Sequence, residues 1–195
     1  MARTSAKQRK TRETNINISL TVEGEGEPAI ATGIPFFDHM LTLFATHGFF
    51  GLTIDAEGDI DVDFHHTVED VGIVLGEVFD SALGDRRGIK RFGFAVTPMD
   101  DALAQVAVDL SKRPFLVYNV PLSAVNSDGF NLSLAKEFFR AFSMGSGMNL
   151  HINVPYGENE HHILESIFKS LGRSLDQACT MDDRVKNVRS TKGIL

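Results

Sequence analysis

Apolar and polar positions alternate from residue 14 to residue 22, placing Ile16, Ile18, Leu20 and Val22 on one side with the period of a half-buried strand. Glu13 stands at its head. A turn over residues 23–27 (EGEGE) and a second strand from Ala29 to Ile34 are expected next, with Pro35 as its stop. Residues 36–47 (FFDHMLTLFATH) predict a helix from their length and apolar content. Two further strands are expected at FFGLTID and at the alternating run IDVDF, the second delivering the chain into His65. From Thr67 to Leu83 the spacing of Val71, Val74, Leu75, Val78 and Phe79 is helical, with Gly84 as its stop. The order then recurs: strands at FGFAVTP, ALAQVAVDL and FLVYN, a helix from Leu132 to Phe142, a strand at NLHINV and a helix from His161 to Ala178. The first twelve residues carry Arg3, Lys7, Arg9, Lys10 and Arg12 with no apolar period, and read as a mobile basic tail.

The recurrence reaches individual residues. HHTVED at 65–70 returns as HHILES at 161–166, and the same offset of 96 pairs Leu75 with Leu171, Gly76 with Gly172, Asp80 with Asp176 and Ala82 with Ala178. A period of about half the chain marks the duplication of one structural unit rather than a solenoid. The expected fold class is α+β: one domain over residues 1–195 built from two pseudosymmetric ββαβ-like halves, about 9–95 and 96–180. Helices would cover one face of a mixed or antiparallel sheet, the two halves would merge their sheets or cores, and residues 181–195 would form a C-terminal tail.

Composition narrows the setting. With 195 residues and 43% hydrophobic residues the chain can bury a substantial core. A net charge of −7 disfavours broad nucleic-acid binding. The single cysteine, Cys179, fits a reducing compartment, and no apolar run approaches the roughly 18 residues of a membrane span, so a cytoplasmic protein is expected.

The chemistry lies in the doubled HHxxE. On a helix adjacent residues are rotated by about 100°, so two neighbouring histidines do not aim at one ion, whereas i and i+3 share a face. His66 is thus expected to chelate with Glu69 and His162 with Glu165, leaving His65 and His161 to complete sites elsewhere in the fold or on another subunit. His39 follows Asp38, a residue type that commonly orients a metal-bound imidazole, and is a further candidate ligand. One HH pair alone is commonly a helix-start surface feature; two copies in register, with their flanking helices, point to metal. Imidazole with carboxylate and no cysteine suits manganese, iron or zinc in an open catalytic site rather than a structural zinc.

At this point longer motifs become recognisable: GIPFFDHML at 33–41, the run from His47 through the first HHxxE to Glu77, RFG, PMDDALAQVAVDLSKRP, GENEHHILESIFKSLGRSLDQA at 157–178, and STKG near the end. The chain resembles the imidazoleglycerol-phosphate dehydratases of histidine biosynthesis, in their single-function form, over about residues 9–195. The resemblance implies a fold like the second domain of ribosomal protein S5, a homo-oligomer of 24 subunits, and two manganese ions per active site at subunit contacts. It assigns His39, His66, Glu69 and His161 to one metal and His65, His162 and Glu165 to the other. Many relatives carry histidine in EHFF as the counterpart of His39, whereas this chain has Glu137 in KEFF, so Glu137 is a candidate ligand at that position, with water or His151 as the alternatives.

The implied reaction dehydrates D-erythro-imidazole glycerol phosphate to imidazole acetol phosphate through a dimetal-stabilised imidazolate and a diazafulvene-type intermediate. Glu13 matches a family residue that contacts substrate and is the expected acid/base. His39, His65 and His161 would also face the substrate, and Arg91, Arg113, Lys169, Ser190 and Lys192 match its phosphate-binding positions, the last two within the tail. Two other readings of the doubled motif stay open from the residues themselves: a two-metal hydrolase, and a metal-storage or metal-sensing module.

Overall fold

The computed structural model of the protein describes residues 2–24, 27–121 and 129–195; the expected turn over 23–27 lies partly outside them. Among the described residues the chain forms β1(Thr4–Lys10), β2(Thr14–Thr21), β3(Ala29–Ala31), α1(Pro35–Gly48), β4(Gly51–Gly58) and α2(His65–Leu83). The same order then repeats as β5(Phe92–Met99), β6(Ala102–Asp109), β7(Phe115–Asn119), α3(Leu132–Ser146), β8(Asn149–Tyr156) and α4(Glu160–Cys179). The second set begins at Phe92, with residues 84–91 after the end of α2 given to the connection. No helix of the described residues is long and apolar enough to cross a membrane.

Each set builds one mixed four-stranded sheet, ordered β1-β2-β4-β3 and β5-β6-β8-β7, antiparallel except for the β3/β4 and β7/β8 pairs. Of the two expected ways to join, the cores merge and the sheets stay separate. Helix α2 packs against β1 and β2, α4 against β5 and β6, and the helices meet across the halves as α1 with α4 and α2 with α3. One continuous apolar cluster runs from Ile16 and Leu52 of the first sheet through Phe44, Phe138 and Phe168 to Val106 and Ile152 of the second.

The repeated glycines explain themselves at these crossings. A Cβ on Gly76 would stand 2.8 Å from the Phe142 carbonyl of α3, and one on Gly172 would stand 2.4 Å from the Phe44 carbonyl of α1. Both glycines let helix backbones touch. Gly172→Ala should therefore force α1 and α4 apart and cost about 1–3 kcal/mol, the usual range for overpacking; a melting temperature equal to the parent's would refute that tight fit.

Two sequence expectations fail for physical reasons. Residues 4–10 are not a mobile tail but β1, paired along β2 from Thr4↔Thr21 to Lys10↔Asn15. Its inner side chains are ionic rather than apolar, Lys7 bonding Glu77 at 3.0 Å and Arg9 bonding Asp70 at 3.2 Å on α2, so no hydrophobic period marks the strand. Conversely, IDVDF is a turn, because β4 ends at Gly58 and Val62 points to solvent. Its carboxylates serve the helix that follows: Asp63 accepts the His65 backbone N–H at 2.8 Å, and Asp59, just before the segment, reaches the His66 ring.

Candidate active site

Asn159 caps α4 by accepting the His161 N–H at 2.9 Å, which starts the helix directly beneath the histidine pair. The α1–α4 crossing brings His39 to this end. His39 Nε2 lies 3.1 Å and His161 Nε2 2.9 Å from the same Glu165 oxygen, while Lys169 Nζ donates to the other at 2.6 Å. Glu165 is buried, which raises its pKa, but Lys169, His39 and His161 together bring the carboxyl down to about 2, so it is an anion at neutral pH.

The α2–α3 crossing makes a companion cluster of His65, Glu69 and Glu137. His65 Nε2 is 3.7 Å from Glu69, and Arg140 of α3 pairs with Glu69 at 3.2 Å and with Glu137. Glu137 thus faces the first HHxxE as His39 faces the second. In each cluster the ligand atoms lie within 4.8 Å of one another, and two nitrogens with one carboxylate, or one nitrogen with two, fit a divalent transition metal.

The helix-angle expectation of i,i+3 chelates differs from these contacts. Glu69 meets His65 and Glu165 meets His161, both at i,i+4, because the second histidine of each pair is turned away to an aspartate. His66 Nδ1 lies 3.0 Å from Asp59, and His162 Nδ1 bonds Asp101. Those hydrogen bonds, opposed by partial desolvation and reinforced by nearby carboxylates, raise the pKa of both histidines. Asp100 Oδ2 also lies 3.5 Å from His162 Nε2. Asp59, Asp101 and Arg140 were not anticipated from the sequence; Arg140, three residues after Glu137 on a helix, was the one with a readable signal.

Glu13 sits exposed in the β1–β2 turn, its carbonyl accepting the Asp59 N–H at 3.1 Å, and its charge is felt by His66. Away from the clusters, Arg91, Arg113, Ser190 and Lys192 line one pocket of about 690 Å³, together with Ser111 and Arg189. Arg91 is nearly buried and holds Asp109 bidentately at 2.6 and 2.9 Å, while its remaining Nη1 donates to the Arg189 carbonyl at 2.6 Å. The C-terminal segment is thereby tied to β6. Lys169, expected with these cations, lies instead at the histidine cluster. His151 is exposed on β8, outside both clusters.

Residues 32–175 match the family model described as imidazoleglycerol-phosphate dehydratase. The chain is 60% identical over 195 residues, all of both chains, to the imidazoleglycerol-phosphate dehydratase of Desulfosudis oleivorans, and 58% identical, again over all of both, to that of Trichlorobacter lovleyi. Among solved structures, the enzyme of that name from Pyrococcus furiosus, in complex with (S)-C348, superposes with a TM-score of 0.85 at 39% identity, covering 97% of this chain and 100% of its own. The Staphylococcus aureus enzyme gives 0.83 at 38% identity, covering 92% of this chain and 99% of its own.

Proposed function

Because this chain belongs to the imidazoleglycerol-phosphate dehydratase family, and is therefore a hydro-lyase of histidine biosynthesis, we propose that the donors of its two histidine–carboxylate clusters, joined by His66 and His162, would hold two manganese ions that act on the imidazole of D-erythro-imidazole glycerol phosphate. The observation that carries this reading is the repetition of convergent nitrogen and carboxylate donors at both helix crossings. Held there, divalent ions would supply Lewis acidity that lowers the pKa of the substrate's ring N–H.

The chain's own residues do the rest. The imidazolate expels the hydroxyl of the ring-attached carbon, which leaves as water with the proton given up by the ring N–H, and Glu13, held near His66 through Asp59, then takes the proton from the next carbon of the resulting diazafulvene-type species. The resulting enol tautomerises to the ketone. Arg113, Ser190 and Lys192 supply donors to the phosphate in the pocket that Arg91 braces.

The two clusters lie on different helix pairs, so ligand sets mixing His39 and His161 with His66 and Glu69 are built between copies of the chain. A homo-oligomer, of 24 subunits, in the cytoplasm is the corresponding assembly. Its self-association is supported by the outer face of the second sheet, where Phe92, Phe94 and Phe115 are exposed, whereas the outer face of the first carries Asn15, Asn17, Thr53 and Asp55. Appearance of the ketone from imidazole glycerol phosphate, dependent on added Mn²⁺, is the test. Release of inorganic phosphate without dehydration would favour the two-metal hydrolase instead.

Metal binding should also depend on pH. Metal displaces the Nε2 proton of His66 and His162, whose pKa values are raised above 6.5, so affinity should begin to fall above that pH as acid is added. Stability of the metal-free fold runs the other way: the two aspartate–imidazolium pairs stabilise it below 6.5, and that contribution is lost as pH rises through the raised values. Mn²⁺ titrations at about pH 6 and about pH 8 read the first effect, and equal affinities would exclude proton competition at these rings.

Glu137 makes a separate prediction. An anionic oxygen in place of a nitrogen favours harder ions, so Glu137→His should retain two metals and shift preference toward zinc. Glu137→Ala should bind one metal more weakly. Equal binding by the alanine variant would remove Glu137 from the ligand set.

A further inference from the structure

Each HHxxE motif leaves its second histidine with one ring nitrogen against an aspartate, and the two aspartates are not copies of each other. His66 and His162 are related by the offset of 96, but in the repeated element order the β5–β6 turn that carries Asp101 answers to the β1–β2 turn, where Glu13 stands, and the β4–α2 connection that carries Asp59 answers to residues 157–159. Asp59 comes from the connection between β4 and α2, Asp101 from the β5–β6 turn. The duplicated halves therefore reach the same imidazole–carboxylate contact from unrelated places, which argues that the contact itself serves the histidine.

We propose that Asp59 and Asp101 are positioning residues that fix the tautomer of His66 and His162, and that Asp101 alone does so in a way no carboxamide can copy. This rests on the reading of both histidines as metal ligands. A carboxylate only accepts hydrogen bonds, so the facing Nδ1 must carry the ring proton and Nε2 must offer its lone pair outward. The exposed Asp100 carboxylate, 3.5 Å from His162 Nε2, is free to move aside.

The two acceptors differ in how their oxygens are used. Both Asp59 oxygens flank the same His66 nitrogen, at 3.0 and 3.2 Å, and among the described residues neither accepts another hydrogen bond. Asp101 is divided: Oδ1 serves His162, while Oδ2 accepts the Glu158 and Asn159 backbone N–H groups at 2.6 and 2.9 Å, at the N-cap of α4. An asparagine at 59 can turn its oxygen to the ring. At 101 its NH₂ must face either two backbone donors or the ring, and facing the ring moves the proton to Nε2, where it blocks the metal.

The experiment is a Mn²⁺ titration by electron paramagnetic resonance of the assembled protein and of Asp59→Asn, Asp101→Asn, Asp101→Ala and His162→Ala, with metal-free melting temperatures alongside. Asp101→Asn should weaken one class of Mn²⁺ by about 10–100-fold. Asp101→Ala, which has no misplaced donor, should weaken it less although it loses at least as much thermal stability, and Asp59→Asn should stay close to the parent. A merely structural Asp101 would make affinity follow melting temperature, so alanine binding as poorly as asparagine overturns the proposal, as does tight binding by Asp101→Asn or equal damage from Asp59→Asn. His162→Ala separates the levels: if it binds Mn²⁺ like the parent, the ligand reading fails; if it loses the site while Asp101→Asn keeps it, only the tautomer assignment fails.

Discussion

His162→Ala is expected to leave a folded protein without measurable dehydratase turnover and with one class of metal site emptied. The side chain lies in the first turn of α4, where it pairs with Asp101 and Asp100 and is not among the helix's buried positions, so its loss removes a donor rather than a core side chain. The affinity loss should exceed the 10–100-fold typical of changes one shell further out. His66→Ala should behave in the same way, since its ring meets Asp59, the edge of the His65 ring and neighbouring charges rather than a helix of the core. Metal analysis by mass spectrometry beside a turnover assay decides the matter. Two tightly bound metals with parental turnover in both variants would remove the second histidines from the site.

Arg91→Ala should produce the largest combined loss. Its guanidinium is nearly buried, so deletion leaves Asp109 without its bidentate partner and the Arg189 carbonyl without its donor. Breaking such a pair costs on the order of 3–5 kcal/mol. The same deletion frees the segment that carries Ser190 and Lys192, so KM should rise by about 10- to 100-fold, the equivalent of losing one charge-assisted hydrogen bond of about 1.5–3 kcal/mol. Arg91→Lys should not rescue either property, because one ammonium cannot span two carboxylate oxygens and a carbonyl together. Arg113→Ala is the contrast: its side chain is 71% exposed and only 3.9 Å from Asp109, so KM should rise with little change in melting temperature. If Arg91→Ala melts like the parent with an unchanged KM, the bracing of the C-terminal segment by Arg91 is wrong.

Local periodicity was enough for what depends on neighbours in the chain. Alternation located β2 and β6, helical spacing located α2 and α4, and the offset of 96 announced both the repeated element order and the doubled metal motif. The same periodicity misled where side chains alternate for reasons other than burial. The inner face of β1 is satisfied by ion pairs to α2 and looked like a tail, while the alternating run at Val62, whose Asp63 serves the start of α2, looked like a strand.

The amino-acid order alone determined which residue types are present to bind metal and phosphate, and that they come twice, because a helix sets the angle between residues three or four apart whatever surrounds it. Tertiary structure decided the partners. The crossing of α1 and α4, permitted by Gly172, sets His39 beside a glutamate 126 residues away, and the β5–β6 turn sets Asp101 beside a histidine 61 residues away. Lys169 meets a carboxylate within its own chain for the same reason: one turn of α4 carries it to Glu165, while Arg91 and the C-terminal segment meet at the other end of the second sheet. No spacing in the sequence encodes such distances, because they follow from which helix faces can approach closely enough to pack.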